Sequence, residues 1–340
     1  MDNSSVIHAK KNPLGILVSD SVYADCGKHI ENLAGEAGLD AVCATLKEAA
    51  KNTELIDIAF FSRDMYEGSS LRKPGRLSNE FFSIVDNAQR LQWLHVCSSG
   101  IDLPQYAPSL KRGIRVTSSK GAMAAPIAQT AVAAILALSR GFGHWLRAQN
   151  QRQWAPLIGA DRPREIYGQR VLIVGTGAIG SKIAYMLKNL GFNVTGVRRR
   201  AEPLEPFEQI ITFDCLDQML PACDWLVLAI PLTASTKQII DERRLGLLPA
   251  RAFLANVARG ELVDEQALGV ALKRGKLRGA YLDSFVQEPL PTTSPLWELP
   301  NVWITPHNSA TSQGHERCVI DSFLEQYVAW LDSRKASIAV

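Results

Sequence analysis

The stretch Arg170-Val-Leu-Ile-Val-Gly-Thr-Gly-Ala-Ile-Gly180 decides the fold. Four apolar β-formers run into Gly175-Thr176-Gly177-Ala178-Ile179-Gly180. Ile183, Ala184, Met186, Leu187 and Leu190 then recur at helical spacing, and a new apolar run opens at Asn193. Strand, glycine-rich turn, helix and second strand in that order make the βαβ unit that binds dinucleotides. In such a unit Gly175 permits the tight turn, Gly177 lets a pyrophosphate approach the backbone, and Gly180 lets the helix pack on its strand. The helix start offers unpaired N–H groups and a positive dipole end to the phosphates. The six residues of the turn are therefore candidate cofactor contacts.

The same alternation extends in both directions. Downstream, apolar runs predict strands over 193–197, 225–230, 252–256, 279–283 and 302–305. Upstream they fall at 15–19, 41–45, 57–61, 91–97 and 114–117, each followed by a segment of helical length. Strands separated by helices imply parallel βαβ units, so two doubly wound α/β domains are expected in tandem. A flavodoxin-like substrate domain is expected to take 1–118 plus 309–340, and a Rossmann cofactor domain 119–308. The return to the first domain would be made by an amphipathic helix over 312–332, with Cys318, Ile320, Phe323, Leu324, Tyr327, Val328 and Leu331 as its apolar positions. Between the domains, 126–140 is apolar on every side, which predicts burial on every side, by its own domain or by a second subunit, with a subunit interface the expected cover.

Composition agrees with two ordinary globular domains: 340 residues, 46% hydrophobic and 21% charged. Thirty-seven Lys and Arg against thirty-four Asp and Glu leave a net charge of +3, too little to make nucleic acid or an anionic membrane the expected partner. The polar start, 1–10, lacks the apolar core of a signal peptide. The longest apolar stretch, 122–138, is interrupted by Pro126, Gln129 and Thr130, and reads as a core helix rather than a membrane span. Six scattered cysteines without a CxxC pair are expected to be buried thiols in a reducing compartment, so a cytoplasmic location is expected. His307 and His315 lack the spacing of a metal site.

The second strand of the nucleotide unit ends in Val197-Arg-Arg-Arg200, where NAD sites carry a carboxylate for the ribose 2′-hydroxyl. Guanidinium groups suit a phosphate instead, so Arg198 and Arg199 predict preference for NADP(H), with NAD(H) a second possibility. Pro231 and Val257, just past two further strand ends, are additional candidate cofactor contacts.

Three more residues stand at or beyond strand ends, where open α/β sheets bind ligands. They are Arg259 in Asn256-Val-Ala-Arg-Gly260, Glu288 in Asp283-Ser-Phe-Val-Gln-Glu-Pro-Leu290, and His307 in Ile304-Thr-Pro-His-Asn308. Together with the glycine turn, the segments NVARGELVDEQAL, LDSFVQEPLPTTSPLW and TPHNSA, and Gly100-Ile-Asp102, the sequence resembles the D-isomer-specific 2-hydroxyacid dehydrogenases from about Leu91 to His307. The glyoxylate/hydroxypyruvate reductases are the nearest functional type.

The resemblance implies a hydride passed between a nicotinamide cofactor and a small 2-oxo or 2-hydroxy acid. His307 would be the general acid, and Glu288 would hold it and favour its charged form. Arg259 would bind the substrate carboxylate, joined by backbone N–H groups at Ser99 and Gly100, and Asp283 would accept from the nicotinamide amide. A homodimer is expected.

Some residues depart from the pattern. Gln129 stands where relatives often carry Glu, and Glu288 stands where formate-oxidising relatives carry Gln. The short stretch beyond His307 argues against the larger phosphoglycerate dehydrogenases. Arg63 is a candidate for a second substrate carboxylate, although an exposed ion pair is the expected role. Trp297 would shape the pocket or serve packing, and the sequence suits both equally. A different kind of protein, a nucleotide-sensing co-repressor of the same fold, would carry the same Arg, Glu and His; the absence of long disordered tails favours the enzyme.

Overall fold

Runs of β-branched and aromatic residues become interior strands when helices cover both faces of a parallel sheet. A computed structural model of the chain describes residues 13–66, 73–159 and 162–338, so the polar start at 1–10 lies outside the described residues. The chain divides into two compact units, with breaks at Ala122/Met123 and His315/Glu316.

The first unit contains β1 (Leu14–Leu17), β2 (Ala41–Ala44), β3 (Ile56–Phe61), β4 (Trp93–Val96) and β5 (Arg115–Ser118). They form a five-stranded parallel sheet in the order β2-β1-β3-β4-β5, the flavodoxin-like arrangement. All six residues of β3 are buried. The helix His315–Ile338 packs its apolar side on this sheet. Phe323 stacks on Phe60 with ring centroids 4.3 Å apart, and Trp93 lies stacked against Phe323, Tyr327 and Trp330. The buried stripe is Val319, Ile320, Phe323, Tyr327, Trp330 and Leu331. This corrects the expected face: Cys318 and Val328 are exposed, while Val319 and Trp330 are in the core. Of the six free cysteines, four are buried, Cys215 is intermediate and Cys318 is exposed.

The second unit contains β6 (Arg170–Val174), β7 (Asn193–Val197), β8 (Gln209–Ile211), β9 (Trp225–Leu228), β10 (Phe253–Asn256), β11 (Gly279–Leu282) and β12 (Val302–Ile304). Their order, β12-β11-β10-β9-β6-β7-β8, is that of the Rossmann sheet with one strand added. All pairings are parallel. Strand β8 was not anticipated from the sequence. It is a three-residue edge strand with one buried residue, Ile211, too short to show a period.

The helix Ala124–Arg140 belongs to this unit. One face is buried through Ile127, Ala128, Ala131, Ala134 and Ile135, whereas Gln129 and Ala133 are exposed and Leu136, Ala137 and Arg140 only half-buried. Burial on every side is therefore not reached within a single chain. Among the described residues no single helix is long and apolar enough to cross a membrane.

Candidate active site

The seven-stranded sheet changes winding direction between β6 and β9, and both strands end at the glycine turn. Gly175, at φ 105°, is in the left-handed half of backbone space. A Cβ there would lie 2.4 Å from the Ala229 carbonyl oxygen just past β9, so the approach of the two strand ends demands glycine. A Cβ on Gly180 would fall 1.9 Å from the Gly175 oxygen, which brings the helix Ala178–Asn189 against the turn. Gly177 differs: a Cβ there would meet nothing within 4 Å. Neither internal packing nor positive φ requires that glycine; the open space before the helix N-terminus is where a diphosphate fits. Thr176, Ala178 and Ile179 complete this cradle.

At the end of β7 the Arg198 amide donates to the Ile211 oxygen at 3.0 Å. Arg198 is half-buried and Arg199 exposed, and neither guanidinium has a partner among the described residues. Arg200 lies 4.0 Å from Glu202, at the surface. Pro231 is exposed beyond β9, and Val257 is buried beyond β10.

Three consecutive strands deliver the chemical groups. Past β10, the buried Asn256 accepts from the Ala258 amide at 3.1 Å and donates to the Arg259 oxygen at 2.8 Å, which sets the turn carrying Arg259. The Arg259 Nη1 donates to the Ala258 oxygen at 2.9 Å. Gly260 permits the next approach: a Cβ there would lie 2.0 Å from the Phe285 carbonyl carbon, pressing the arginine turn onto the loop that bears Glu288. That loop is tied by the Phe285 amide, which donates to Glu288 Oε1 at 3.0 Å.

Past β12, His307 sits at φ 52°, left-handed backbone for a residue with a Cβ. Its Nδ1 is 3.0 and 2.9 Å from the two Glu288 oxygens, with Glu288 almost wholly buried and His307 partly open. The carboxylate claims Nδ1 and leaves Nε2 as the ring nitrogen that can serve a ligand. Asp283, past β11, is buried, and its carboxylate accepts from the Thr305 hydroxyl at 2.6 Å, from the Asn308 and Ser309 amides at 3.1 Å each, and from the Ser309 hydroxyl. Most of its acceptor capacity thus holds the loop carrying His307, a role not foreseen for it. The positions of Asn256 at a strand end and of Gly260 beside the arginine were signals for their roles; Thr305 and Ser309 gave none.

In the first unit, Ser99 and Gly100 follow β4. Their carbonyls accept from the Ser118 and Ser98 hydroxyls at 3.2 and 2.6 Å, and their N–H groups have no acceptor among the described residues. Arg63 lies 5.1 Å over the Tyr66 ring and pairs with no described carboxylate, so the ion pair expected for it is not formed there. Trp297 is half-exposed and donates to the Pro291 oxygen at 2.9 Å. Among the described residues no group of acidic, histidine or cysteine side chains could hold a metal.

Residues 132–309, which span the glycine turn, Arg259, Glu288 and His307, match the D-isomer specific 2-hydroxyacid dehydrogenase NAD binding domain. A glyoxylate reductase of Pyrococcus horikoshii is 34% identical over 263 residues, 75% of this chain and 77% of that one. A D-3-phosphoglycerate dehydrogenase of Methanocaldococcus jannaschii is 28% identical over 320 residues, 92% of this chain but 56% of that longer protein. Among solved structures, a protein of the same family from Aeromonas salmonicida superposes with TM-score 0.72 at 27% identity, covering 95% of this chain and 97% of that one. One from Xanthobacter autotrophicus, solved with NADPH and MES, gives 0.69 at 25% identity, covering 95% and 96%. The family model covers more than half of the chain and the Pyrococcus relative three quarters of it, so the chain belongs to the D-isomer specific 2-hydroxyacid dehydrogenase family.

Proposed function

We infer that the protein is an NADPH-preferring reductase of small 2-oxo acids, of the glyoxylate/hydroxypyruvate reductase type. The observation that carries this reading is the two-oxygen grip of Glu288 on His307 Nδ1 at 3.0 and 2.9 Å, at a strand end beside the arginine turn. Reduction of a 2-oxo acid needs a hydride on the carbonyl carbon, a proton on its oxygen and a cation for its carboxylate. Bound NADPH supplies the hydride. His307 Nε2 gives the proton to the carbonyl oxygen, and the imidazole recovers it from solvent afterwards. Arg259 pairs with the substrate carboxylate and polarises the adjacent carbonyl, which orients the acid and stabilises the alkoxide as it forms. The remaining acceptor position of Asp283 serves the nicotinamide amide.

Thr176–Gly180 hold the diphosphate, and Arg198 and Arg199 take the 2′-phosphate. The Xanthobacter relative solved with NADPH is in keeping with that choice. The test is a panel of 2-oxo acids, including glyoxylate, hydroxypyruvate, pyruvate and bulkier homologues, assayed with NADPH and NADH by loss of reduced-nicotinamide absorbance. Turnover of small 2-oxo acids with NADPH supports the reading, and no turnover of any member with either cofactor overturns it.

A further inference from the structure

His307 occupies backbone space that a residue with a Cβ holds only when its surroundings over-determine it. Glu288 grips the ring, but ring contacts alone do not set the backbone. The His307 amide donates to the Thr305 oxygen at 2.9 Å, and the groups that hold the residues around it form one hydrogen-bonded chain. Because the Thr305 hydroxyl donates to Asp283 Oδ1 at 2.6 Å, its lone pair faces the Tyr281 hydroxyl 2.8 Å away, so Tyr281 is the donor there. Tyr281 is buried on β11, and burial, with Asp283 nearby, pushes its hydroxyl well above the ordinary range, keeping it a donor.

From Asp283 the chain continues to the two amides that follow His307 and to the Ser309 hydroxyl. The Ser309 carbonyl oxygen lies 3.1 Å from the Thr130 hydroxyl, on the helix Ala124–Arg140, which shares its one proton between that oxygen and the Pro126 carbonyl at 3.0 Å. The residues on both sides of His307 are thereby tied to β11 and to Asp283 just past its end.

We propose that Tyr281, Thr305 and Ser309 are positioning residues: acting through Asp283, they fix the backbone of His307 so that its Nε2 meets the substrate oxygen while Nδ1 stays on Glu288. The inference rests on the reading of His307 as proton donor, and extends it. On the proposed reading the same carboxylate would also hold the nicotinamide amide, so cofactor seating and acid placement would share one group. A loosened brace misplaces the acid at the moment of transfer without removing any group that touches substrate.

The experiment uses the full chain with glyoxylate and NADPH, and compares Thr305→Val, Thr305→Ser, Tyr281→Phe and Ser309→Ala with His307→Ala. Thr305→Val keeps the shape and loses the link. It is expected to lower kcat and kcat/KM together by about 10- to 100-fold, the range an ångström-scale misplacement produces. NADPH affinity, read by nicotinamide fluorescence, is expected to hold. The primary isotope effect with C4-deuterated NADPH should rise towards its intrinsic value, because chemistry becomes the slow step; a loss of folded protein does not move that quantity. Thr305→Ser, which keeps the hydroxyl, should restore most of the rate. Tyr281→Phe, isosteric and safe for folding, should show the same pattern more weakly.

If His307→Ala retains turnover, the underlying reading fails. If His307→Ala is inactive while Thr305→Val and Tyr281→Phe keep native kcat and native isotope effects, the brace is refuted and His307 as the acid stands.

Discussion

Cofactor choice is where this chain speaks most individually, and Arg198→Asp is the decisive perturbation. A Cβ on Gly196 would lie 2.7 Å from Thr176 Cγ2, so the end of β7 is pressed onto the glycine turn. Arg198 follows two residues later, its amide fixed to Ile211. It is half-buried and without a described partner, so a phosphate meets a guanidinium already shed of part of its water. A charge-assisted hydrogen bond in such a setting is worth about 1.5–3 kcal/mol. Arg199 is exposed and adds little against solvent screening. The predicted net preference is about 1.4–2.7 kcal/mol, or about 10- to 100-fold in kcat/KM for NADPH over NADH.

Steady-state kinetics with both cofactors at two ionic strengths measures it. The ratio should shrink as salt rises, because part of the attraction is screened. Arg198→Asp should invert the ratio, since a carboxylate repels the phosphate and accepts from the ribose hydroxyls. Equal efficiency with both cofactors in the native protein, or an unchanged ratio in the variant, refutes the assignment.

The remaining predictions address chemistry, stability and assembly. His307→Ala should cut turnover by about 100- to 10,000-fold while NADPH still quenches protein fluorescence; near-native turnover removes His307 as the acid. Arg259→Lys keeps the charge but loses the planar fork, so KM should rise and kcat fall, and unaltered kinetics would place the substrate carboxylate elsewhere. Burial holds His95 down at about 3, so the unfolded chain binds its proton first as pH falls. Stability should then decline by about 1.4 kcal/mol per pH unit through the window below 6.5, and urea titrations of His95→Gln should show a shallower decline. The half-exposed stripe of the helix Ala124–Arg140 is expected to close a two-fold dimer, and sedimentation as a monomer at micromolar concentration would contradict it.

What was legible in the sequence follows from how strongly each position is constrained locally. Strand β6 and its glycine turn were legible because Gly175 and Gly180 each answer a backbone contact that only glycine survives. Arg259, Glu288 and His307 stood out because each is a reactive residue type just past an apolar run. Strand β8 was hidden because an edge strand of three residues with one buried side chain needs no pattern. In the last helix, Cys318 and Val328 are apolar yet exposed, and Trp330 is buried near the far end, so the true stripe was displaced from the expected one. The hydroxyls of Thr305 and Ser309 look like any loop residues. Their meaning comes from registry between β11 and β12, where Leu282 pairs with Ile304 and brings Thr305 beside Asp283.

Buried aspartates at opposite ends of the seven-stranded sheet use one device for different ends. At the amino end, Asp224 accepts from the Arg170 amide at 2.9 Å and from Arg164 and Arg251 at 2.7 and 2.8 Å. Burial pushes its carboxyl up, but these donors outweigh it and hold the group below the ordinary range. It fastens unstrained backbone, at the start of β6, and its stabilisation is present above the ordinary carboxylate range and lost as pH falls through its depressed value. At the carboxyl end, Asp283 spends its acceptors on a loop that holds His307 in disfavoured backbone. Loss of Asp224 should therefore appear in unfolding curves, whereas a weakened Asp283 brace should appear first in the rate of proton transfer. The two carboxylates sit at opposite ends of the sheet, so changes at Asp224 are expected to alter stability while leaving His307 in place.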